Sequence, residues 1–328
     1  MLKFRRRSRI VLYFILGVVV FAIGWLTVVR ATSPMRSIRT YTIPEAPNIS
    51  NNTTRLRIAA YNIAHGRGLA ESNWDGTLPE REARLKQIAS LLSELQLDVV
   101  VLNEVDFNST WSGGLNEARL IATQAGFAYV AEQASYDTGL PFFYVRFGNA
   151  ILSRYPIVSA ELIDFPTYLH WEALVGGKKQ GLLCELQLNE TESVRVLAVH
   201  LEHRDETTRV GSAETILKLA RQEGPPLIAA GDFNSTPLGY PHAQIGDGQH
   251  NAMTQLFDSG LFLVDLSPQP NKEDLTFRAD DPYTLIDWVL VPHGATVRAR
   301  SVPNVLLSDH RPVVVELQLP LDSSSNHP

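Results

Sequence analysis

The chain contains almost no cysteine. Among its 328 residues, Cys184 is the only one. One cysteine forms no internal disulfide and no C-x-x-C zinc motif, so a disulfide-stapled scaffold and a zinc site of that kind are both excluded. Because Cys184 lies in the apolar run GLLCELQL, we expect a small buried hydrophobe on a strand.

Acidic residues are absent from the first 40 positions, which contain eight Lys and Arg. In the remainder of the chain, 21 Lys and Arg face 35 Asp and Glu, a net charge of −14. An acidic body is a poor electrostatic partner for duplex DNA. It does not exclude a phosphate substrate, because a bound divalent cation reverses the field locally.

Charge of either sign is also missing from residues 10–29. A helix of 20 residues is about 30 Å long, which matches the hydrocarbon core of a bilayer. The basic segment 1–9 precedes it and predicts a cytoplasmic N-terminus. We therefore expect a single-pass signal anchor, with the membrane as a partner and the rest of the chain outside the cytoplasm. A cleaved secretion signal is the alternative, since Val29-Arg30-Ala31 loosely resembles a cleavage site.

The remaining chain divides into three predicted segments. Residues 30–55 are rich in proline and polar residues and are expected to be a linker, and residues 321–328 are expected to be a disordered tail. Between them, in 56–320, short apolar strand-like runs alternate with a few amphipathic helical patterns, the longest at 79–96 and 206–224. This alternation predicts one α/β (α+β) domain in which helices cover two packed sheets.

Polar side chains follow several of these apolar runs, where each predicted strand ends. They are Asn62, Glu104, His200, Asp232, Asn234, Asp287, Asp309 and His310. Taken singly, each is more simply a turn, surface or ion-paired residue. If they converge, they form a site of acids, amides and imidazoles that suits a hard cation, Mg²⁺ (or Mn²⁺).

The ordered motifs resemble the endonuclease/exonuclease/phosphatase superfamily over roughly residues 55–320. They are YNIAHGRG, LNEVD, FGNAILSRYPI, VHLEHRDETTR, GDFNSTP, LIDWVLV and SDHRPVVVEL. The superfamily includes DNase I-like nucleases, abasic-site endonucleases, neutral sphingomyelinases and inositol polyphosphate phosphatases. The resemblance implies a four-layer αββα sandwich and a divalent-metal-dependent phosphoesterase. Its substrate would be a lipid headgroup, a small phosphodiester or nucleic acid.

The resemblance also implies metal ligands. Glu104 matches the principal ligand of the superfamily. Asn62 matches the asparagine beside the metal and the phosphate, and Asp309 matches an acid near the metal. Some relatives carry another acid two residues after this asparagine. Here that position is Ala64, so we expect a single main metal ion.

Further residues match the groups that act on water and phosphate. Asp232 matches the aspartate that orients or deprotonates the attacking water, and Asn234 matches its companion at the phosphate. His310 matches the histidine that contacts the phosphoryl group, and Asp287 the acid that orients this histidine. His200 matches a histidine at the phosphate. The candidate substrate contacts, besides Asn62, are Asn149, His203 and Arg209.

The alternatives concern the substrate and the class of protein. We expect substrate selection in the loops 66–78, 106–114, 132–146 and 164–180. The acidic body and the anchor favour a small or lipid phosphoester, with an extracytoplasmic nuclease of the same fold as the alternative. Two other hypotheses are a catalytically silent binding module and a zinc enzyme that uses residues 200–205. No obligate protein partner is evident from the sequence.

Overall fold

The computed structural model of the chain describes residues 2–32, 38–44, 46, 55–140, 142–169, 177–263 and 269–319. The helices in these ranges are α1 (Leu2–Thr32), α2 (Leu78–Glu94), α3 (Glu117–Ala125), α4 (Glu206–Ala220) and α5 (Ala252–Asp258). The strands are β1 (Arg39–Thr42), β2 (Arg55–Asn62), β3 (Val99–Asp106), β4 (Tyr129–Leu140), β5 (Phe143–Ser153), β6 (Ile157–Asp164), β7 (Gln180–Gln187), β8 (Ser193–His200), β9 (Leu227–Asp232), β10 (Phe262–Leu263), β11 (Asp287–Pro292), β12 (Thr296–Ser301) and β13 (Val313–Gln318).

The strands form two mixed sheets. The seven-stranded sheet has the order β1-β4-β5-β3-β2-β13-β12, and the six-stranded sheet has the order β10-β11-β9-β8-β7-β6. Strand β2 runs parallel to β3, and β8 runs parallel to β9. Each of these parallel pairs is connected through a helix, α2 in the first sheet and α4 in the second, because parallel neighbours need a crossover. The two crossovers bring four strand ends toward one region of the molecule.

Three buried clusters separate four layers. In β3, Val100 and Leu102 face α2 and α3, whereas Val99 and Val101 face the second sheet. This alternation explains why a strand buried on both faces is a continuous apolar run. A third cluster, which includes Ile216, lies between the second sheet and the helices α4 and α5. The predicted αββα sandwich is therefore confirmed.

The N-terminus of α2 follows directly from local sequence. Thr77 accepts a hydrogen bond from the Glu80 backbone N–H, and the Glu80 carboxylate accepts one from the Thr77 N–H at 2.7 Å. This reciprocal capping satisfies two of the free donors of the first turn, and Pro79 has none to satisfy. The helix then places Arg81 and Leu85 on its buried face.

The first helix contains the predicted apolar span. Residues Arg9–Val28 have a mean hydropathy of 2.5, and none of that segment is buried within the protein. The helix is long and apolar enough to cross a membrane, and a secretion signal has the same properties.

Two expectations about loops are corrected. Residues Arg39–Thr42, inside the predicted linker, pair with β4 as an edge strand, and the Tyr41 hydroxyl donates to Glu132 Oε1 at 2.6 Å. The predicted loop 132–146 is largely the hairpin of β4 and β5, which pair in antiparallel register. Residues 47–54 of the linker, 170–176 of the loop 164–180 and the predicted tail 321–328 lie outside the described residues.

Gly231 lies on β9 between the neighbouring strand β8 and Asn103 of the other sheet. Its φ is +138°, and a Cβ atom there would lie 1.9 Å from the Val199 carbonyl oxygen and 2.9 Å from Asn103 Oδ1. Any other residue would combine an unfavourable backbone conformation with a collision against backbone of the neighbouring strand. Glycine is therefore required at this position.

We expect Gly231→Ala to destabilise the protein by about 3 kcal/mol or more, because both the clash and the positive φ must be relieved. Urea unfolding followed by circular dichroism measures this change. Gly224→Ala is the matched control, since Gly224 has a φ of +127° with no atom within 4 Å of the added Cβ. Equal losses for the two variants would contradict the close-approach explanation.

Candidate active site

The two parallel strand pairs deliver the predicted site residues to one place. Asn62 ends β2, and His200 lies opposite Asp232 where β8 and β9 end. Strand β11 begins at Asp287, which is paired with Asp232 across the antiparallel ladder. Because strand ends of both sheets meet here, side chains far apart in sequence come into contact.

A β-bulge directs Glu104 into this region. The pairing of β3 with β5 shifts register between Leu102 and Val105, and Glu104 has a φ of +52°. A left-handed residue in a strand is uncommon and places two successive side chains on the inner side of the sheet. Asn103 thereby reaches the second sheet while Glu104 points into the candidate site.

Asn103 connects the two sheets and was missed by the sequence analysis. Its Nδ2 donates to Asn149 Oδ1 at 2.8 Å and to the Val199 carbonyl at 3.0 Å. Its Oδ1 accepts from the Asp232 N–H at 2.9 Å. A polar residue inside the apolar run VVVLNEV was the available signal. Asn103 fixes the position of Asp232 relative to the strand that carries Glu104.

The Glu104 carboxylate is surrounded by donors. Asn62 Nδ2 donates to Oε1 at 3.2 Å, and Arg67 Nη1 donates to Oε2 at 3.3 Å. His65 Nε2 also lies 3.3 Å from Oε2. Burial alone would raise the pKa of Glu104, but His65 and Arg67 outweigh it and hold this pKa well below its usual range. Glu104 is therefore an anion at neutral pH.

Asp287 and His310 form a buried pair beside Asp232. Asp287 Oδ2 lies 2.8 Å from His310 Nδ1, and His310 Nε2 lies 3.9 Å from Asp232 Oδ2. Burial disfavours a charged imidazole, but Asp287, Asp232 and Asp309 raise the pKa of His310 to about 10. Burial and the Asp287 charge raise the pKa of Asp232 to about 7. The pair thus has a protonated imidazole next to a carboxyl group that titrates near neutral pH.

The GDFN segment forms an Asx turn around Asp232. The Asn234 N–H donates to Asp232 Oδ1 at 2.8 Å, and Asn234 Nδ2 donates to the Leu201 carbonyl at 3.1 Å. Asn62 Nδ2 donates to Asp232 Oδ2 at 3.2 Å. Phe233 is fully buried in the outer core. Both oxygens of Asp232 are consequently held, and its side chain has one orientation.

Asp309 and His200 also lie beside Glu104 and Asp232. Asp309 Oδ2 accepts from Arg67 Nη2 at 2.6 Å. His200 Nε2 lies 3.9 Å from Glu104 Oε1 and 3.8 Å from Asp232 Oδ2. Burial and the neighbouring Lys179 hold the pKa of His200 well below its usual range. His200 is therefore neutral beside the protonated His310.

Two of the predicted substrate contacts are wrong. Asn149 is fully buried and donates to Gln133 Oε1 and the Gln180 carbonyl, so its amide supports the sheets. Arg209 is fully buried as well and donates to Glu206 and to the Glu202 carbonyl. Sequence spacing places both near the site, but their partners lie in the core. His203 does line the site, at its exposed rim.

The contacts of residues 200–205 do not support a zinc site there. Asp205 caps α4 and accepts from the Thr208 N–H at 2.7 Å. Glu202 accepts from Arg204 Nε at 2.7 Å. Burial opposes ionisation of Glu202, but Arg204 lowers its pKa to about 2. These two carboxylates are therefore engaged in local structure.

The site occupies a cavity of about 450 Å³. Glu104, Asp232, Asn234, Asp309 and His310 all line it. The rest of the lining includes a basic group and an aromatic group. The basic residues are Arg67, Lys178, Lys179 and Arg204, and the aromatic residues are Tyr136, Phe147 and Phe277.

A divalent cation fits this donor set. Carboxylate oxygens and imidazole nitrogens of Asp232, Asp287 and His310 lie within 4.8 Å of one another. Asp287 Oδ1 is buried and has no hydrogen-bond partner among the described residues. Four carboxylates around one cavity need compensating charge, and oxygen-rich sites suit Mg²⁺ or Mn²⁺. The protonated His310 has no free lone pair for a metal ion, so Glu104, Asn62 and Asp309, the ligands predicted from the sequence, remain the better candidates.

We expect Asp287→Asn to lower the pKa of His310 from about 10 toward its ordinary value of 6.5. The reason is that burial remains while the closest compensating charge is removed. Titration of the ¹⁵N-labelled imidazole by NMR in metal-free protein measures this pKa. Asp281→Asn, an exposed substitution at a residue paired with Lys272, is the control. An unchanged titration in Asp287→Asn would contradict the assigned charge state.

Comparison with known proteins agrees with this geometry. The model of the Endonuclease/Exonuclease/phosphatase family matches residues 59–310, more than half of the chain. A solved endonuclease/exonuclease/phosphatase from Beutenbergia cavernae has a TM-score of 0.59 at 20% identity and covers 81% of this chain and 72% of its own.

Two further solved structures share the fold. A mannosyl-6-phosphatase from Bacteroides thetaiotaomicron has a TM-score of 0.54 at 17% identity and covers 80% of this chain and 99% of its own. ANGEL2, described as a 2',3'-cyclic phosphatase, has a TM-score of 0.53 at 18% identity and covers 87% and 99%. The curated proteins yielded no match. On the family match and the shared fold, the chain belongs to the Endonuclease/Exonuclease/phosphatase family.

Proposed function

We propose that this protein is a divalent-metal-dependent phosphodiesterase that hydrolyses its substrate by in-line attack of water. The observation that carries the proposal is the buried Asp287–His310 pair facing Asp232 in the cavity that also contains Glu104. This arrangement provides a group to accept a proton, a group to donate a hydrogen bond and a cluster of anions for a cation. Phosphoryl transfer needs these three elements.

The residues that would hold the cation are Glu104, Asp309 and Asn62. Glu104 is ionised at neutral pH, so its carboxylate is available without loss of a proton. The bound cation supplies Lewis acidity that stabilises charge on the phosphoryl oxygens. The donor types favour Mg²⁺ or Mn²⁺ over softer metals.

Asp232 would accept the proton of the attacking water. Its pKa of about 7 is close to the usual operating pH, which is where a general base works best. The side chain is held by Asn62 and by the Asn234 backbone N–H, so the accepting oxygen has a fixed direction. Preorganisation of this kind avoids reorientation of the base during the reaction.

His310 would donate from Nε2 to a phosphoryl oxygen. Asp287 engages Nδ1 at 2.8 Å, which fixes the ring orientation and keeps both nitrogens protonated. His200 is neutral, so it adds a hydrogen-bonding group without a further positive charge. These residues hold the substrate, and none of them needs to form a covalent intermediate.

The cavity supports a small or lipid headgroup phosphoester as the substrate. About 450 Å³ accommodates a compact ligand, and the site lies inside a concave pocket. Lys179 faces the carboxylates of Glu104, Asp232 and Glu202, and burial lowers its pKa despite them. The phosphate group of an anionic substrate would neutralise the charge of the Lys179 ammonium group. Two of the structural neighbours, the mannosyl-6-phosphatase and the 2',3'-cyclic phosphatase, are also named for phosphatase activity.

The alternatives differ in specific features. Another neighbour is the catalytic domain of human Nocturnin with a bound sulfate anion, so anion binding occurs on this fold. A nuclease would use the same catalytic groups and would accept a flexible single strand more readily than a duplex. A silent binding module would not need the intact set of Glu104, Asp232, Asn234 and His310.

The basic segment before the apolar helix supports an anchored enzyme whose catalytic domain lies outside the cytoplasm.

We expect EDTA to abolish hydrolysis of bis-aryl phosphate and Mg²⁺ or Mn²⁺ to restore it. Asp232→Ala and His310→Ala should each lower kcat by about 10²- to 10⁴-fold, the usual range for lost acid–base groups. Asp281→Ala is the control, since its carboxylate pairs with Lys272 on the surface. Sphingomyelin, phosphoinositide and single- and double-stranded DNA are compared in the same assay. Activity that survives EDTA or either site substitution would refute the mechanism, and turnover of DNA alone would refute the substrate class.

We expect Lys179→Met to raise the KM for an anionic phosphoester by about 10-fold or more, because a hydrogen bond to a charged group is lost. Lys178→Met is the matched control. Its ammonium already pairs with Asp164 at 2.8 Å, so a change of less than about 2-fold is expected for this exposed pair. Steady-state kinetics at fixed ionic strength separates KM from kcat. Equal effects of the two substitutions would show that Lys179 has no specific contact.

A further inference from the structure

Arg67 joins the two carboxylates on one side of the site. Its Nη2 donates to Asp309 Oδ2 at 2.6 Å, and its Nη1 donates to Glu104 Oε2 at 3.3 Å. The arginine side chain is only 14% exposed and lines the cavity. A single cation thus bridges Glu104 and Asp309, as a bridging metal ion does in a two-metal centre.

The guanidinium is anchored on its other edge as well. Arg67 Nε donates to the Ala70 carbonyl at 2.8 Å, and Nη1 also lies 3.2 Å from Asn73 Oδ1. Four contacts therefore fix one planar group. Displacing it would break all four and would leave Glu104 and Asp309 without their shared counter-ion.

The backbone before Arg67 is built to place it there. Ala64, His65 and Gly66 all have positive φ angles, and this tight turn precedes Arg67. Helix α2 holds the turn, because Arg84 donates to the Gly66 carbonyl at 2.7 Å and Arg81 donates to that of His65. Such strain persists only where surrounding contacts determine it. Arg67 is thus directed at the carboxylates by a specifically supported turn.

We propose that Arg67 permanently occupies the place of a second metal ion, so that the centre binds one divalent cation. This inference rests on the proposed metal-dependent function. Arg67 contacts only Glu104 Oε2 and Asp309 Oδ2, so Glu104 Oε1, Asp309 Oδ1 and Asn62 would hold the single ion. The side chain at position 64 is a methyl group, so it adds no ligand atom for a second ion.

The test counts bound Mn²⁺ in the full chain, purified in detergent and stripped of metal, without any substrate. Loss of the six-line EPR signal of free Mn²⁺ gives the number of ions bound. We expect one ion in the wild type and one in Arg67→Lys, which keeps the charge. We expect two in Arg67→Met, because the freed carboxylates share a second, weaker site. Arg204→Met, which removes a different positive charge from the same cavity, should still bind one.

Three results would overturn the inference. Two ions in the wild type would mean that metal displaces Arg67, and one ion in Arg67→Met would mean that Arg67 does not hold the place of a cation. Two ions in Arg204→Met would attribute the limit to net charge. Circular dichroism verifies folding, and Arg67→Gln, which keeps a polar group toward Ala70, serves for the count if Arg67→Met does not fold. The absence of any bound ion in the wild type would refute the proposed metal dependence itself.

Discussion

The active site depends on one contact between the two sheets. Asn103, on the bulged strand of the first sheet, binds the backbone of Val199 and Asp232 in the second. Gly231 leaves room for this contact, since a Cβ atom there would lie 2.9 Å from Asn103 Oδ1. Because Glu104 is the next residue after Asn103, the same bulge sets the separation between Glu104 and Asp232, the proposed general base. Close packing of a few backbone atoms thus determines the geometry of the chemistry.

Buried negative charge is the second constraint. Carboxylates held this close would not all ionise in a low-dielectric site without cations nearby. The chain supplies a permanent cation in Arg67 and a conditional one in His310, whose proton is maintained by Asp287. Asp232 has a pKa near neutral pH because the nearby positive charge and hydrogen bonds only partly offset its burial and the Asp287 charge. In the proposed mechanism, the same electrostatic balance provides both the anions that would hold a cation and the general base.

Much of the fold and part of the candidate site were predictable from the sequence. The apolar run before Asp232 and the two-residue spacing to Asn234 indicated a buried strand ending in polar groups, and the αββα order followed from the ordered motifs. Asn149 and Arg209 were misassigned because proximity in a motif does not reveal which way a side chain points. Asn103, His65 and Arg67 were missed because their roles depend on a bulge and on a left-handed turn. Neither feature can be predicted from the local sequence.

The central claim is that water attacks phosphorus directly, guided by Asp232 and His310, without a covalent enzyme intermediate. The stereochemical course at phosphorus tests this claim most directly, with a chiral phosphorothioate diester hydrolysed in ¹⁸O-labelled water. A single in-line displacement inverts the configuration, and the account predicts inversion. Retention would require two successive displacements through a phosphorylated side chain and would contradict the account.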